Sequence, residues 1–395
     1  MNQPVGYEKK GKSGCVLVCK LSKALYGLKQ SGRMWNLLLS KFLIEKGFVQ
    51  SKHDTCLYVY RDDCEFGILL HWVDDIVIAA TRKLLAEIKK WLKDRFRMTD
   101  LGPICEFLGI HFKQIKGKIT MDQTKYLESK LVKYNLNQCK ARVTPCELTD
   151  YQNVENTNVD NRIYREMVGS LIYAMTCTRP DISWAVTKLS QKLANPHEGD
   201  FTMLKHVFRY LLGTLDNCLT FTKSTNGLQL AAYSDSDWAG SRSDRKSTSG
   251  YIFMLNHEGP AISWKSKKQD SVALSSCEAE YMAACLATQE AIYLSRVIED
   301  LCKQTVKHEP PVIRSAEALV VNVDNQGAIG LAKNPVSHNK TKHIDIKYHF
   351  VRECVLNNKI RLEYVPSEFN VADLMTKSTS KVKLSQFKKT MFGVC

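Results

Sequence analysis

The residues best suited to chemistry lie in the second half of the chain, in the stretch Ala231–Gly240, AAYSDSDWAG. Strand side chains repeat every two residues, so Asp235 and Asp237 fall on one face of a strand that begins with apolar residues. Carboxylates in such a setting are costly unless something neutralises them, and a divalent cation is the usual solution. Further acids follow where elements end or a helix turns inward: Glu280, Asp324 and Asp373. Four carboxylates converging on hard cations is the arrangement of Mg²⁺-assisted phosphodiester cleavage. An adjacent pair, Asp74 and Asp75, lies in the first half between the apolar runs Phe66–His71 and Ile76–Ala80. Its placement predicts a strand–turn–strand with both carboxyls at the tip. A solvated turn is the plain reading, because Asp is common in turns. Hairpin turns favour Asn-Gly or Asp-Gly, however, and Asp-Asp adds repulsion with no backbone benefit unless a metal relieves it.

The elements that must position the second-half acids follow from the pattern. Strands are expected at 231–238, Tyr251–Leu255 and Ala261–Trp264, and Ser275-Ser276 caps a long helix that runs through Cys302. A strand over Leu319–Val323 leads into a helix over Gln326–Ala332, His343–Asn357 is helical and Ile360–Val365 is a strand. Asn370 then caps a final helix that contains Asp373. On the long helix, Ala283, Ala287, Leu294, Ile298 and Leu301 define the apolar stripe. At about 100° per residue, Glu280 lies roughly 35° from the stripe centre and Glu278 roughly 165° away. Glu280 is expected to face the sheet and Glu278 the water. Asp324, at a strand end and helix start, reads equally as an N-cap. Asp373, three residues after Asn370, reads equally as a first-turn acid favoured by the helix dipole.

In the first half, Trp35–Gly47 is a helix ending in a glycine cap, Leu57–Tyr60 and Phe66–His71 are strands, and residues 81–98 form an amphipathic helix. That helix carries Leu84, Leu85, Ile88, Trp91, Leu92 and Phe96 on one stripe, with Lys and Arg opposite. A hairpin over Leu101–Phe112 and Lys118–Met121 precedes helical patterns over Gln123–Tyr134, Tyr164–Ala194 and Asp200–Leu215. The polar, Asn-rich residues 145–162 read as an exposed connection.

At 395 residues the chain has room for two or three domains. A formal net charge of +15 points to a polyanionic partner, most often nucleic acid. The fourteen cysteines show no paired spacing beyond Cys15 and Cys19, so they read as free thiols in a reducing compartment rather than a metal clip. The start of the chain has no apolar core of a signal peptide, and no run approaches the roughly 18 apolar residues of a membrane helix. The expected setting is intracellular, without a membrane.

The motifs YSDSDWAG, SSCEAEY, VDNQGAI, TKHIDIKYHFVRE and NVADLMTK, in this order, resemble the RNase H domain of copia-type retrotransposon polyproteins. KALYGLKQSGRMWN, HWVDDIVIA and MTDLGPICEFLGI resemble the reverse transcriptase of the same polyproteins. The resemblance covers nearly the whole chain. It implies an α/β and α+β multidomain fold: a partial reverse transcriptase palm over 1–115, a mostly helical thumb or connection over 116–226, and an RNase H-like mixed sheet flanked by helices over 227–395. It implies that Asp235, Glu280, Asp324 and Asp373 are the ligands of two Mg²⁺ ions in the nuclease, with Asp237 the runner-up for the first position and Mn²⁺ the alternative ion. Asp74 and Asp75 match the paired aspartates of the palm.

The chain departs from the family pattern in three places. Trp72 stands where a tyrosine precedes the aspartate pair. The third palm aspartate belongs to an upstream strand, and no acid in residues 1–30 fits it, so an N-terminally truncated polymerase is expected. The loop Pro366–Asn370 offers Glu368 where many RNases H carry a histidine; His338, His343 and His349 are expected on a helical surface instead. The activity implied is endonucleolytic cleavage of RNA in RNA–DNA hybrids. The alternatives are RNA-directed DNA synthesis on an RNA template and DNA primer, if upstream sequence completes the palm, or a non-catalytic nucleic-acid-binding remnant. The expected partners are the hybrid and the remainder of a Pol polyprotein, in the cytoplasm (a virus-like particle) or the nucleus.

Overall fold

The computed structural model describes residues 1–147, 160–223, 229–257, 259–302, 318–333 and 342–394, with residues 342–348 described by their backbone. These residues fall into two compact units, 1–100 and those from 101 onward. Most of the expected 145–162 connection, and His338, lie outside the described residues, as does the side chain of His343. No described helix is long and apolar enough to cross a membrane.

The first unit runs α1 (Ser31–Glu45), β1 (Val49–Gln50), β2 (Leu57–Arg61), β3 (Phe66–Trp72), β4 (Asp75–Ala80) and α2 (Arg82–Arg95). Its strands form an antiparallel sheet in chain order. Leu39, Phe42 and Leu43 of α1 and Leu84, Ile88 and Leu92 of α2 share a core with Tyr58 and Leu69 of the sheet. The 3.6-residue period puts these side chains on one helix stripe, as the sequence pattern requires. Gly67 is needed where α2 crosses β3, since a Cβ there would meet Leu84 at 2.9 Å and Ala80 at 3.2 Å.

The second unit opens with β5 (Glu106–Phe107), β6 (Ile110–Ile115) and β7 (Lys118–Asp122). The helices α3 (Thr124–Lys133), α4 (Asn161–Cys177), α5 (Ser183–Ser190) and α6 (Glu198–Leu212) follow, and β8 (Leu219–Thr222) returns to pair with β7. The helical pattern over Tyr164–Ala194 is interrupted at Pro180, whose missing N–H ends α4, and a 3₁₀ turn over Pro180–Ile182 restarts the chain as α5.

The remainder builds β9 (Leu230–Asp237), β10 (Thr248–Leu255), β11 (Ala261–Lys268), α7 (Ser276–Cys302), β12 (Leu319–Val323), α8 (Gln326–Lys333), α9 (Lys342–Leu356), β13 (Ile360–Tyr364) and α10 (Lys381–Phe392). The sheet order is β11-β10-β9-β12-β13. The β11-β10-β9 part is antiparallel, whereas β12 runs parallel to both β9 and β13. This is a mixed sheet flanked by helices, as the resemblance implies for 227–395. The expected final helix is in fact two pieces. Asn370 caps a 3₁₀ turn over Val371–Met375, and a separate α10 begins after Ser380.

One buried polar knot lies beneath the α-helical part of the second unit. Arg179 forks onto both oxygens of Asp181 at 2.9 and 2.8 Å and donates to the carbonyl of Thr214, while Tyr210 donates to Asp181 at 2.7 Å. Arg179 and Asp181 are almost completely buried, and the pair holds the Asp181 carboxyl below the usual range despite burial. Removing one partner strands a charge in a low dielectric. Asp181→Ala is therefore expected to lower folding stability by about 3–5 kcal/mol, read from the urea midpoint; a loss under about 1 kcal/mol would contradict a buried, mutually dependent pair.

Candidate metal centre

Asp235 comes from β9, the central strand, whose backbone is paired on both sides. Its cross-strand partner on β10 is Gly250, and Ser234 on β9 lies opposite Val323 on β12. The parallel pairing brings the ends of β9 and β12 together, and Asp324 is the first residue after β12. The N-terminal part of α7 packs on the sheet, so that Glu280 reaches the same spot and accepts the Ser236 N–H at 3.2 Å. Each of Asp235, Glu280 and Asp324 offers a carboxylate oxygen, and these oxygens all lie within 4.8 Å of one another.

The readings that sequence left open resolve locally. Asn325, not Asp324, caps α8: its Oδ1 accepts the Ala328 N–H at 3.0 Å. Asp324 is freed for the cluster and held by the Ser367 hydroxyl, which donates to it at 2.7 Å. Glu280 faces inward as its helix phase demands. Glu278 does not point to water: it is buried and accepts the Leu274 N–H at 2.8 Å, while the Ser275 hydroxyl accepts the Glu278 N–H. Capping demand at the helix N-terminus overrides the helix phase. Asp237 shares a face with Asp235, but its carboxyl accepts the Thr248 N–H and stays outside the cluster.

Asp373 lies next to this cluster rather than within it. The Asn370 side chain donates to the Ser234 carbonyl at 2.9 Å and accepts the Ala372 N–H, which pins the 3₁₀ turn against β9. The turn delivers Thr376, whose hydroxyl donates to Asp235, and Asp373, which meets two ammonium groups. Lys377 is 2.9 Å from Asp373 Oδ1 and 3.8 Å from Asp235 Oδ2, and Lys383 pairs with Asp373 Oδ2. Sequence reasoning missed both lysines. Lys377 carried a signal, since it stands four residues after Asp373 at the spacing of an ion pair on one helical face.

The electrostatics show what the cluster lacks. Burial, then repulsion from Asp373 and Asp324, lifts Asp235 well above the usual carboxylate range. Burial, then repulsion from Asp235 and Asp324, lifts Glu280 further still. Glu280 Oε2 is buried and has no hydrogen-bond partner. A buried, unpartnered oxygen on a residue that shares its site with two other carboxylates, all oxygen donors, fits a hard divalent cation. For Lys377, burial opposes the charge, but Asp235 and Asp373 outweigh it and keep the ammonium form favoured.

Of the other expected site residues, Asp74 and Asp75 lie in the first unit, exposed at the tip of the β3–β4 hairpin, where Trp72 pairs with Asp75. Val73 in the turn adopts φ +52°, and Trp35 donates to its carbonyl at 2.6 Å, fixing the tip. His349 is exposed on α9, as expected.

Residues 1–148 match the reverse transcriptase (RNA-dependent DNA polymerase) family. Over 98% of its length the chain is 37% identical to the retrovirus-related Pol polyprotein from transposon TNT 1-94 of Nicotiana tabacum, of which it covers 29%. It is 31% identical to a putative transposon Ty5-1 protein of Saccharomyces cerevisiae, across 69% of this chain and 89% of that one. Among solved structures, RNase H1 from the halophilic archaeon Halobacterium salinarum aligns at 16% identity and TM-score 0.27, over 38% of this chain and 94% of its own. The chain thus spans little more than a quarter of the length of the Pol polyproteins it matches.

Two outcomes test this geometry. A Cβ at position 250 would meet the Met375 Cβ at 2.5 Å and the Thr376 Cγ2 at 2.8 Å. Gly250→Ala should push the 3₁₀ turn off β10 and cost about 1–3 kcal/mol in urea denaturation. The raised carboxyls also predict a pH trend. Their folded-state pKa values exceed the unfolded ones, so the folded state binds more protons and stability falls as pH rises from the ordinary carboxylate range into the neutral range. In EDTA, Glu280→Gln should be more stable than the parent at pH 8 and show a shallower fall from pH 5 to 8; parallel pH curves would rule out a stressed Glu280.

Proposed function

The chain belongs to the copia-type retrotransposon Pol family, and from that premise we propose that its second unit cleaves the RNA strand of RNA–DNA hybrids with the help of Mg²⁺. The observation that carries this reading is the meeting of Asp235, Glu280 and Asp324, from three separate elements, within 4.8 Å. These residues would hold the cation, which when bound activates a water for attack and stabilises charge at the leaving 3′-oxygen.

The rest of the work falls to the chain's own groups. Thr376 fixes one oxygen of Asp235, the Ser236 N–H fixes one oxygen of Glu280, and Ser367 fixes Asp324. These bonds remove rotamer freedom before substrate arrives, which keeps the acids in place despite their repulsion. Gln269 strengthens the frame: its Nε2 donates to the hydroxyls of Ser236 and Ser249 and to the Ala279 carbonyl, tying β9, β10 and α7 together beside Glu280. The basic charge of the chain serves to hold phosphates without regard to sequence, with salt-sensitive affinity. Contacts to 2′-hydroxyls would distinguish the RNA strand.

A second reading concerns the first unit. The fixed hairpin tip presents Asp74 and Asp75 together, which suits the paired aspartates of RNA-directed DNA synthesis once upstream sequence supplies a third carboxylate. Primer extension on an RNA template by a longer polyprotein segment, with Asp74→Asn as control, tests it.

The nuclease is tested with a 5′-labelled RNA annealed to DNA. Mg²⁺-dependent internal cleavage should fall by at least about 10³-fold in Asp235→Asn, the loss expected when a charge-bearing ligand of the catalytic ion is removed. Cleavage that persists in the variant would end the assignment, and binding of the hybrid without turnover in the parent would favour a non-catalytic scaffold.

A further inference from the structure

The fourth acid of the site poses a charge problem that its surroundings answer. Asp373 is almost completely buried, and each of its carboxylate oxygens faces an ammonium group: Oδ1 meets Lys377 at 2.9 Å, and Oδ2 meets Lys383. Lys377 also lies 3.8 Å from Asp235 Oδ2. Its amine is therefore within ion-pair reach of Asp235 and Asp373 together. Lys383 donates besides to the Ser367 carbonyl at 3.1 Å, and Ser367 in turn holds Asp324. One hydrogen-bonded chain thus runs from the third carboxylate to the fourth. Two ammonium groups against four carboxylates leave a deficit of two positive charges, which a single divalent ion cancels. Asp237, the remaining acid of β9, lies under the influence of Lys188 as well as Lys377.

Resting on the nuclease reading, we infer that Lys377 is a built-in countercation for the Asp235–Asp373 half of the site. A divalent ion enters at Asp235, Glu280 and Asp324, and a second ion on the Asp373 side binds only by displacing the Lys377 amine. Lys377 is then a positioning residue that sets ion occupancy. A fixed charge about 4 Å from a carboxylate changes cation affinity by more than a tenfold step at the effective dielectric of a protein site. The lysine tail is flexible and compact at its head, so it can swing away where a guanidinium or a packed apolar group could not.

Isothermal titration of the full chain with Mn²⁺ measures this without any cleavage step. The parent should take up a single ion tightly and a second only weakly. Lys377→Met should bind the second ion at least about tenfold more tightly, since the competing charge is gone. Lys377→Arg, which keeps the charge, should titrate like the parent or take the second ion more weakly still. The Lys377 side chain is 45% exposed, so neither change removes a core contact. A Lys377→Met protein that titrates like the parent, or that binds the second ion less well, overturns the inference while leaving the nuclease reading intact. A parent chain that takes up no Mn²⁺ overturns the nuclease reading and this inference with it.

Discussion

Repulsion among carboxylates withdrawn from water is the constraint from which the second unit's architecture follows. Three acids cannot approach within ligand-sharing distance unless the backbone carrying them is stiffer than the force driving them apart. The sheet supplies that stiffness through the parallel pairing of β9 with β12, which aligns the carboxyl ends of two neighbouring strands. Open sheets commonly place their ligand sites there, because strand ends and the loops after them converge on one crevice. The antiparallel β10 on the other side of β9 contributes a glycine, and the space it leaves is filled by the turn that carries Thr376.

What surrounds the acids is largely polar and cross-linked by hydrogen bonds. Asn370, Ser367, Thr376 and Gln269 each bridge two or more segments, and all act on residues that hold the site rather than on bulk packing. Such a support system explains how a buried cluster of like charges persists in a chain of marginal stability. Glu280 differs from Asp235 and Asp324 in one respect. Its second oxygen remains unpartnered, which is the signature of a group kept ready for something that binds.

Much of this was legible in the residues. Alternation on β9 identified the face of Asp235, and the 3.6-residue period on α7 turned Glu280 inward, because both rest on local geometry with a fixed period. The errors came where local geometry yields to a competing demand. Glu278 sits on the polar side of its helix by phase, yet the free N–H groups at the helix start draw it into a cap. Asp324 and Asn325 are adjacent and chemically alike, so which would cap α8 depended on the strand end, a tertiary fact. The break between the turn over Val371–Met375 and α10 left no strong mark, because Ser380 is an ordinary cap and the intervening Lys, Ser and Thr fit helix or loop. Lys383 carries no local mark for Asp373, and only the approach of β9 brings Lys377 within reach of Asp235 as well.

The apolar core beneath the sheet has a practical corollary. Ala231, Ile252 and Met254 of β9 and β10 and Leu384, Phe387 and Met391 of α10 belong to the same buried cluster as Leu171 of α4 and Val207, Phe208 and Leu211 of α6. Thr187 of α5 bonds the edge strand at Ser266, and Trp264 bonds the end of α4 at Met175. The mixed sheet is therefore upholstered by helices encoded before it. A fragment trimmed to begin at Leu230 would wear that greasy underside on its exterior, whereas one beginning near Leu101 keeps the lining with the sheet, and that boundary is the natural one for producing the second unit alone.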